Sequence, residues 1–227
     1  KLGRFHATIY HCVDRIQAQP EMPATEIETA ERELCGKVNV IFTTAPRLQQ
    51  SLQPLNAGTH FFGNVADAQH FGRALSGDRA RPHDLPITSG PCLMFVGAID
   101  AYKLDFPMLQ ALIRRTPDWT YVFIGPVAEA DPSTDVSRLS GFGNVHLVGH
   151  RPYAELPSYL AHADVALLPL QLNEYTRHMF PMKFFEYLAA GCPVVATEIP
   201  SLKDQRDVAS LCPPEAEAFQ VAIAAVL

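Results

Sequence analysis

Phe180-Pro-Met-Lys-Phe-Phe-Glu-Tyr-Leu-Ala-Ala-Gly-Cys-Pro-Val-Val-Ala-Thr197 reads as a short helix, a glycine stop and a buried strand. Pro181 suits a first helical position, because its fixed φ fits the turn and its missing N–H would have no partner there. Gly191 suits a left-handed cap, and Pro193 blocks continuation. The spacing predicts a helix of about ten residues between them. Met182, Phe185, Leu188 and Ala189 recur at helical steps and predict the apolar face, which leaves Lys183 and Glu186 one turn apart on a neighbouring face. Two interpretations of that pair stand open. It can be a solvated ion pair, or it can mark an anion site, since Lys183 sits near the positive helix N-terminus where negative charge is stabilised.

Working outward, the chain has 227 residues, of which 48% are hydrophobic, enough for one large or two small domains with a real core. A net charge of −6 without a basic run argues against nucleic acid, which needs a positive surface for counterion release. There is no polybasic membrane patch, no apolar run long enough to span a bilayer and no signal peptide, so a cytoplasmic protein is expected. Five dispersed cysteines without a C-x-x-C predict reduced core thiols and no metal site. Lys1 at the first position, the run from Arg4 to His11 and a helix running into Leu227 lead us to expect a fragment.

His6 to Tyr10 reads as a strand delivering His11 and Asp14 to its carboxyl end, where open α/β sheets place ligands; Asp14 would orient His11, or His11 is a loop residue without a role. An amphipathic helix from Ala24 to Leu34, a strand from Val38 to Thr43, a helix capped by Thr44 and ending near Leu52, and a strand from Thr59 to Phe62 follow. Asn64 to Asp67 then opens a last helical turn. Such a β-α-β-α-β rhythm implies parallel pairing and right-handed crossovers. Gly72 to Gly90, with Gly77, Pro82, Pro86 and several charges, shows no period and is predicted to be a linker. Pro91 to Gly97 is a continuous apolar run, the mark of a strand buried on both faces. Strands from Thr120 to Gly125, Asn144 to Val148, Asp164 to Pro169 and Val208 to Cys212 alternate with helices from Phe106 to Arg115, Glu155 to His162 and Pro214 to Leu227.

Chemistry gathers at carboxyl ends of these strands. Gly97 to Lys103 follows the first strand of the second half, where glycine lets backbone approach a phosphate, yet Ile99 and Asp100 break any G-x-G-x-x-G dinucleotide fingerprint. Gly125 ends the next strand. Leu170 to Phe180 is predicted to be a polar loop in which Thr176 and Arg177 can reach an anion, although Arg177 can equally pair with Glu174 on the surface.

The run from Pro181 to Thr197 resembles the nucleotide-sugar signature of GT-B glycosyltransferases, especially GT4-like bacterial enzymes of the glycosyl transferases group 1. Ile41 to Thr44 and Asn64 to Phe71 resemble the tail and hinge of that family's N-terminal domain, with Val65 in place of a glycine. The resemblance implies an α/β protein of two Rossmann-like doubly wound domains, the first incomplete (1–75), then a linker (76–90), then a nearly complete nucleotide-sugar-binding domain (91–227). It implies transfer of a sugar from a nucleotide diphosphate-sugar donor to a hydroxyl of a glycan or lipid-linked acceptor, in glycan biosynthesis, with retention of configuration and no metal or other cofactor. A sugar-nucleotide epimerase or a non-catalytic nucleotide-sugar-binding fragment are the alternatives. In residue terms, Glu186 would hold the donor ribose, Lys183, Arg177, Thr176 and Lys103 would face the diphosphate, and Gly97 and Gly125 would line the nucleotide. His178 stands where many relatives have a second glutamate, and Ala98 where they have an arginine. His11 and Asp14 would face the reacting sugar. Any peripheral membrane contact would belong to a segment upstream of Lys1.

Overall fold

The computed structural model describes residues 6–76 and 80–227. Lys1, Arg4 and Gly77 lie outside the described residues. Residues up to Asn64, with Leu172–Phe180 and Ile199–Ser201, form one compact unit; Val65–Gln171, Pro181–Glu198 and Leu202–Leu227 form another.

In the first unit, strands β1 (Ile9–Cys12), β2 (Val40–Thr43) and β3 (Thr59–Phe61) pair in parallel in the order β1-β2-β3. Helices α1 (Ala24–Cys35) and α2 (Pro46–Leu52) make the crossovers. Cys12, Cys35, Val38, Ile41, Leu48 and Leu52 form its core. The alternation of a strand puts Tyr10 and Cys12 toward that core and Ile9 and His11 on the opposite, exposed face.

Thr44 does not cap α2 as expected. Its hydroxyl donates to the Val13 carbonyl at 2.6 Å, and α2 starts from Ala45 with Pro46 in its first turn.

The second unit carries α3 (Ala68–Phe71), β4 (Cys92–Val96), α4 (Phe106–Arg115), β5 (Thr120–Ile124), α5 (Ser137–Ser140), β6 (Val145–Gly149), α6 (Leu156–Leu160) and β7 (Val165–Leu168). After α7 (Glu174–His178), which belongs to the first unit, it resumes with α8 (Met182–Ala189), β8 (Val194–Thr197), β9 (Ser210–Cys212) and α9 (Ala216–Val226). Its six strands are all parallel in the order β6-β5-β4-β7-β8-β9, so the order reverses beside β4, the switch point at which doubly wound sheets open a crevice. Every residue of β4, β7 and β8 is buried, as the uninterrupted apolar runs require.

The compact units divide the chain differently from the expected segments. Residues 65–75 and the described part of 76–90 pack into the second unit: Phe71 and Leu85 are buried, and Asp84 bonds Arg151 and Tyr159. An aperiodic stretch can still be pinned by single long-range side chains, which no local pattern announces.

Candidate functional site

The crevice is built by three parallel strands whose ends are tied together. Beyond β4, β5 and β6 the Gly97 N–H donates to the Ile124 carbonyl at 2.8 Å, and the Gly125 N–H to the Gly149 carbonyl at 2.9 Å. Gly125 has φ +149°, and a Cβ there would lie 2.0 Å from the Gly97 carbonyl oxygen, so only glycine lets the two turns lie this close. Above them opens a cavity of about 280 Å³ whose walls include Gly97, Gly125, Pro126, Arg151, Tyr153 and Lys183.

Lys183 comes from the first turn of α8. The sequence places Pro181 at the first helical position; in the structure it is the N-cap, extended at ψ 114°, and the helix begins at Met182. Gly191, at φ +75°, terminates the helix in the left-handed conformation expected of it. The buried face is rotated from the predicted one. Phe184, Tyr187 and Glu186 point inward, whereas Met182 is 48% exposed. Burial of the larger aromatic rings decides this, and Tyr187 is anchored: its hydroxyl accepts from the Val96 N–H at 2.7 Å. The rotation carries Glu186 inside as well. It is 4% exposed, and its Oε2 accepts from Lys183 Nζ at 2.7 Å. The pair is therefore not the solvated surface pair of one interpretation, since the Glu186 carboxylate is enclosed and Lys183 lines the cavity.

The remaining candidates separate. Lys103 pairs with Asp100 at 3.3 Å and lies over the Tyr102 ring. Asp100 is fully buried, and its Oδ1 accepts from the Ala130 and Asp131 N–H groups, so this carboxylate joins two loops and holds Lys103 by an ion pair within its own loop. Thr176, His178 and Arg177 lie on α7, in a stretch predicted as a polar loop. There Asn173 and Thr176 form a reciprocal cap, which leaves Thr176 wholly buried and turned to the backbone. His178 is also buried, donating from Nδ1 to the Glu174 carbonyl at 2.8 Å. Both side chains are thus engaged by the backbone of their own helix turn. Arg177 is exposed and lines a small cavity of the first unit with Arg47 and Ser201, while Glu174, its predicted partner, binds Arg15 Nε at 2.9 Å. His11 falls within β1, in register with Phe42, and not beyond the strand end as expected, because β1 begins three residues later than the β-branched run suggested. Asp14 follows the strand, half-buried, its carbonyl 3.7 Å from the Cys12 thiol.

Sequence reasoning missed Asp84, Arg151 and Tyr153. Arg151 Nε donates to Asp84 at 2.8 Å and to the Tyr159 hydroxyl at 2.8 Å. Burial alone would raise the Asp84 carboxyl, but hydrogen bonds from Arg151 and Tyr159 outweigh it and hold the group below its ordinary value. Tyr153 stacks on His70; burial, then the charges of Glu186 and Asp67, push its phenol above its ordinary value. Among the described residues no group of three His, Cys, Asp or Glu side chains is arranged to hold a metal ion, and no helix is long and apolar enough to cross a membrane.

Residues 90–227 match the family model described as "Glycosyl transferases group 1", and the chain belongs to that family. TuaH of Bacillus subtilis (strain 168), named for glycosyl transfer in teichuronic acid biosynthesis, is 29% identical over 204 residues, covering 85% of this chain and 51% of its own length. The chain thus spans about half the length of the curated relative it matches. HepE of Anabaena, solved with UDP and glucose, superposes with a TM-score of 0.73 at 18% identity, covering 96% of this chain and 61% of that one. Sucrose-phosphate synthase of Thermosynechococcus elongatus gives a TM-score of 0.70 at 20% identity, over 96% and 57% of the two chains. At these identities the solved structures show the fold: the parallel α/β architecture of GT-B sugar transferases.

Proposed function

We propose that this protein binds the nucleoside diphosphate half of a nucleotide-sugar donor in the second unit's cavity and transfers the sugar to a hydroxyl acceptor in glycan biosynthesis. The observation that carries this is the buried Glu186 carboxylate, held at 2.7 Å by Lys183, which lines one cavity together with the turns at Gly97 and Gly125. A carboxylate in that position accepts hydrogen bonds from ribose hydroxyls. Lys183 and the positive N-terminal end of the α8 dipole stabilise the negative charge that grows on the diphosphate as the glycosidic bond breaks. Charge stabilisation of this kind asks for no metal, and retention of configuration is the outcome that the family resemblance carries. The names of TuaH and HepE support a sugar nucleotide, with uridine the first base to try. Five buried free thiols fit a reducing compartment, which favours the cytoplasm.

Calorimetry with UDP and with pyrophosphate tests the site. Charge-assisted hydrogen bonds are worth roughly 1.5–3 kcal/mol, so Glu186→Ala should weaken UDP about ten- to a hundredfold, with Glu186→Gln between it and the parent. Pyrophosphate, which has no ribose, should be insensitive to Glu186→Gln but lose affinity on Lys183→Ala. UDP affinity unchanged by every one of these substitutions would overturn the assignment.

A further inference from the structure

Tyr153 is a half-exposed aromatic residue, 49% accessible, in the wall of the same cavity. Its orientation is over-determined. The His70 imidazole lies parallel to its ring at 4.3 Å with an interplanar angle of 11°, and the fully buried Phe71 ring meets it edge-on at 5.4 Å and 89°. His70 Nε2 also donates to the Tyr153 carbonyl at 2.9 Å, so one imidazole fixes both backbone and ring. His70 is fixed in turn, because its own N–H donates to the Asp67 side chain at the cap of α3, at 2.9 Å. A surface tyrosine held by two residues far away in sequence has lost rotamer freedom that solvent alone would not demand. That loss lowers the cost of binding a ligand against the ring.

We infer that Tyr153 is the aromatic wall for the nucleoside half of the donor and that His70 is its positioning residue, which makes α3 part of the donor site. The inference rests on the proposed donor site and specifies which half of the ligand this wall receives. An aromatic face carries partial negative charge and does not favour a diphosphate, which has Lys183 instead; it favours a flat base or the apolar face of a ribose. Tyr153 shares the cavity wall with Lys183, whose Nζ holds the Glu186 carboxylate assigned to the ribose at 2.7 Å.

The test measures UDP and pyrophosphate affinity of the full chain by calorimetry, with melting temperature recorded for each variant. Tyr153→Ala should weaken UDP about fivefold or more, the range expected for loss of an aromatic stack, and leave pyrophosphate unchanged. Tyr153→Phe should stay close to the parent. His70→Ala should weaken UDP less than Tyr153→Ala, His70→Phe should recover most of that loss by restoring the stack, and the double variant His70→Ala/Tyr153→Ala should be no worse than Tyr153→Ala alone. Equal losses for UDP and pyrophosphate in Tyr153→Ala, or additive losses in the double variant, would overturn the inference. If Glu186→Ala weakens UDP and Tyr153→Ala does not, the donor site stands and this wall alone falls. If the parent chain binds neither UDP nor pyrophosphate, both fall together.

Discussion

The two parallel sheets of this molecule bury their residues differently. β4 is buried along its whole length, every side chain enclosed on both faces. β1, in the three-stranded sheet, alternates: Cys12 is enclosed, while Ile9 is 59% exposed and His11 is open beside it. The exposed face of this sheet continues through Phe42 to Phe62, whose rings meet edge-on at 4.8 Å. Similar apolar composition therefore carries different energetic weight in the two units. A residue of β4 is held by contacts on every side, whereas half of β1 stabilises little.

Substitutions can break or sharpen that contrast. The largest effect is expected at Tyr187 behind β4. Tyr187→Ala should cost about 3–5 kcal/mol in equilibrium denaturation, and Tyr187→Phe, which keeps the ring but strips the Val96 N–H of its acceptor, about 1–3 kcal/mol. Next comes Gly125→Ala, in which a Cβ collides with the Gly97 carbonyl at a φ that L-residues avoid; about 1–3 kcal/mol of strain is expected, together with weaker UDP binding as the turns separate. In the first unit, Ile41→Val at the enclosed core should cost about 0.5–1.5 kcal/mol, and Ile9→Thr on the open face less than about 0.5 kcal/mol. Should Ile9→Thr prove as costly as Ile41→Val, the contrast between faces would be wrong. The smallest effect concerns pH. Asp84 titrates below its ordinary value in the folded protein, so its contribution is present above the ordinary carboxylate range and is lost as pH falls through the depressed folded value. Asp84→Asn should therefore flatten the acid limb of a melting-temperature profile and leave it unchanged in shape near neutrality.

The same contrast explains what could be read beforehand. The strand from Pro91 to Gly97 and the run from Pro181 to Thr197 were legible because central parallel strands and capped helices carry strong local signals, and Glu186 stood out by its place in such a run. The rotation of α8 was not legible, since a helix apolar on most sides offers several candidate faces, and the choice fell to Phe184 and Tyr187 through contacts made elsewhere. Thr44 shows that a hydroxyl suited to a cap can be taken by a distant carbonyl, here Val13. The reciprocal cap of Asn173 and Thr176 had a local signature, but five helical residues in a polar stretch give too short a period to register. Tyr153 had none, because its significance comes from His70, on another part of the chain.

The interleaving of the two units bears on how the protein is made. The first unit holds the earliest described residues together with Leu172–Phe180, and Asn64 Nδ2 donates to the Phe180 carbonyl across 116 positions. On a ribosome adding roughly 5–20 residues per second, that carbonyl follows Asn64 by several seconds to tens of seconds. During this interval the nascent three-stranded sheet lacks α7 and the segment that ends at Phe180. Synthesis therefore leaves β1 to β3 waiting on a later segment of their own unit, and a chaperone that shields these strands would be most useful in that window.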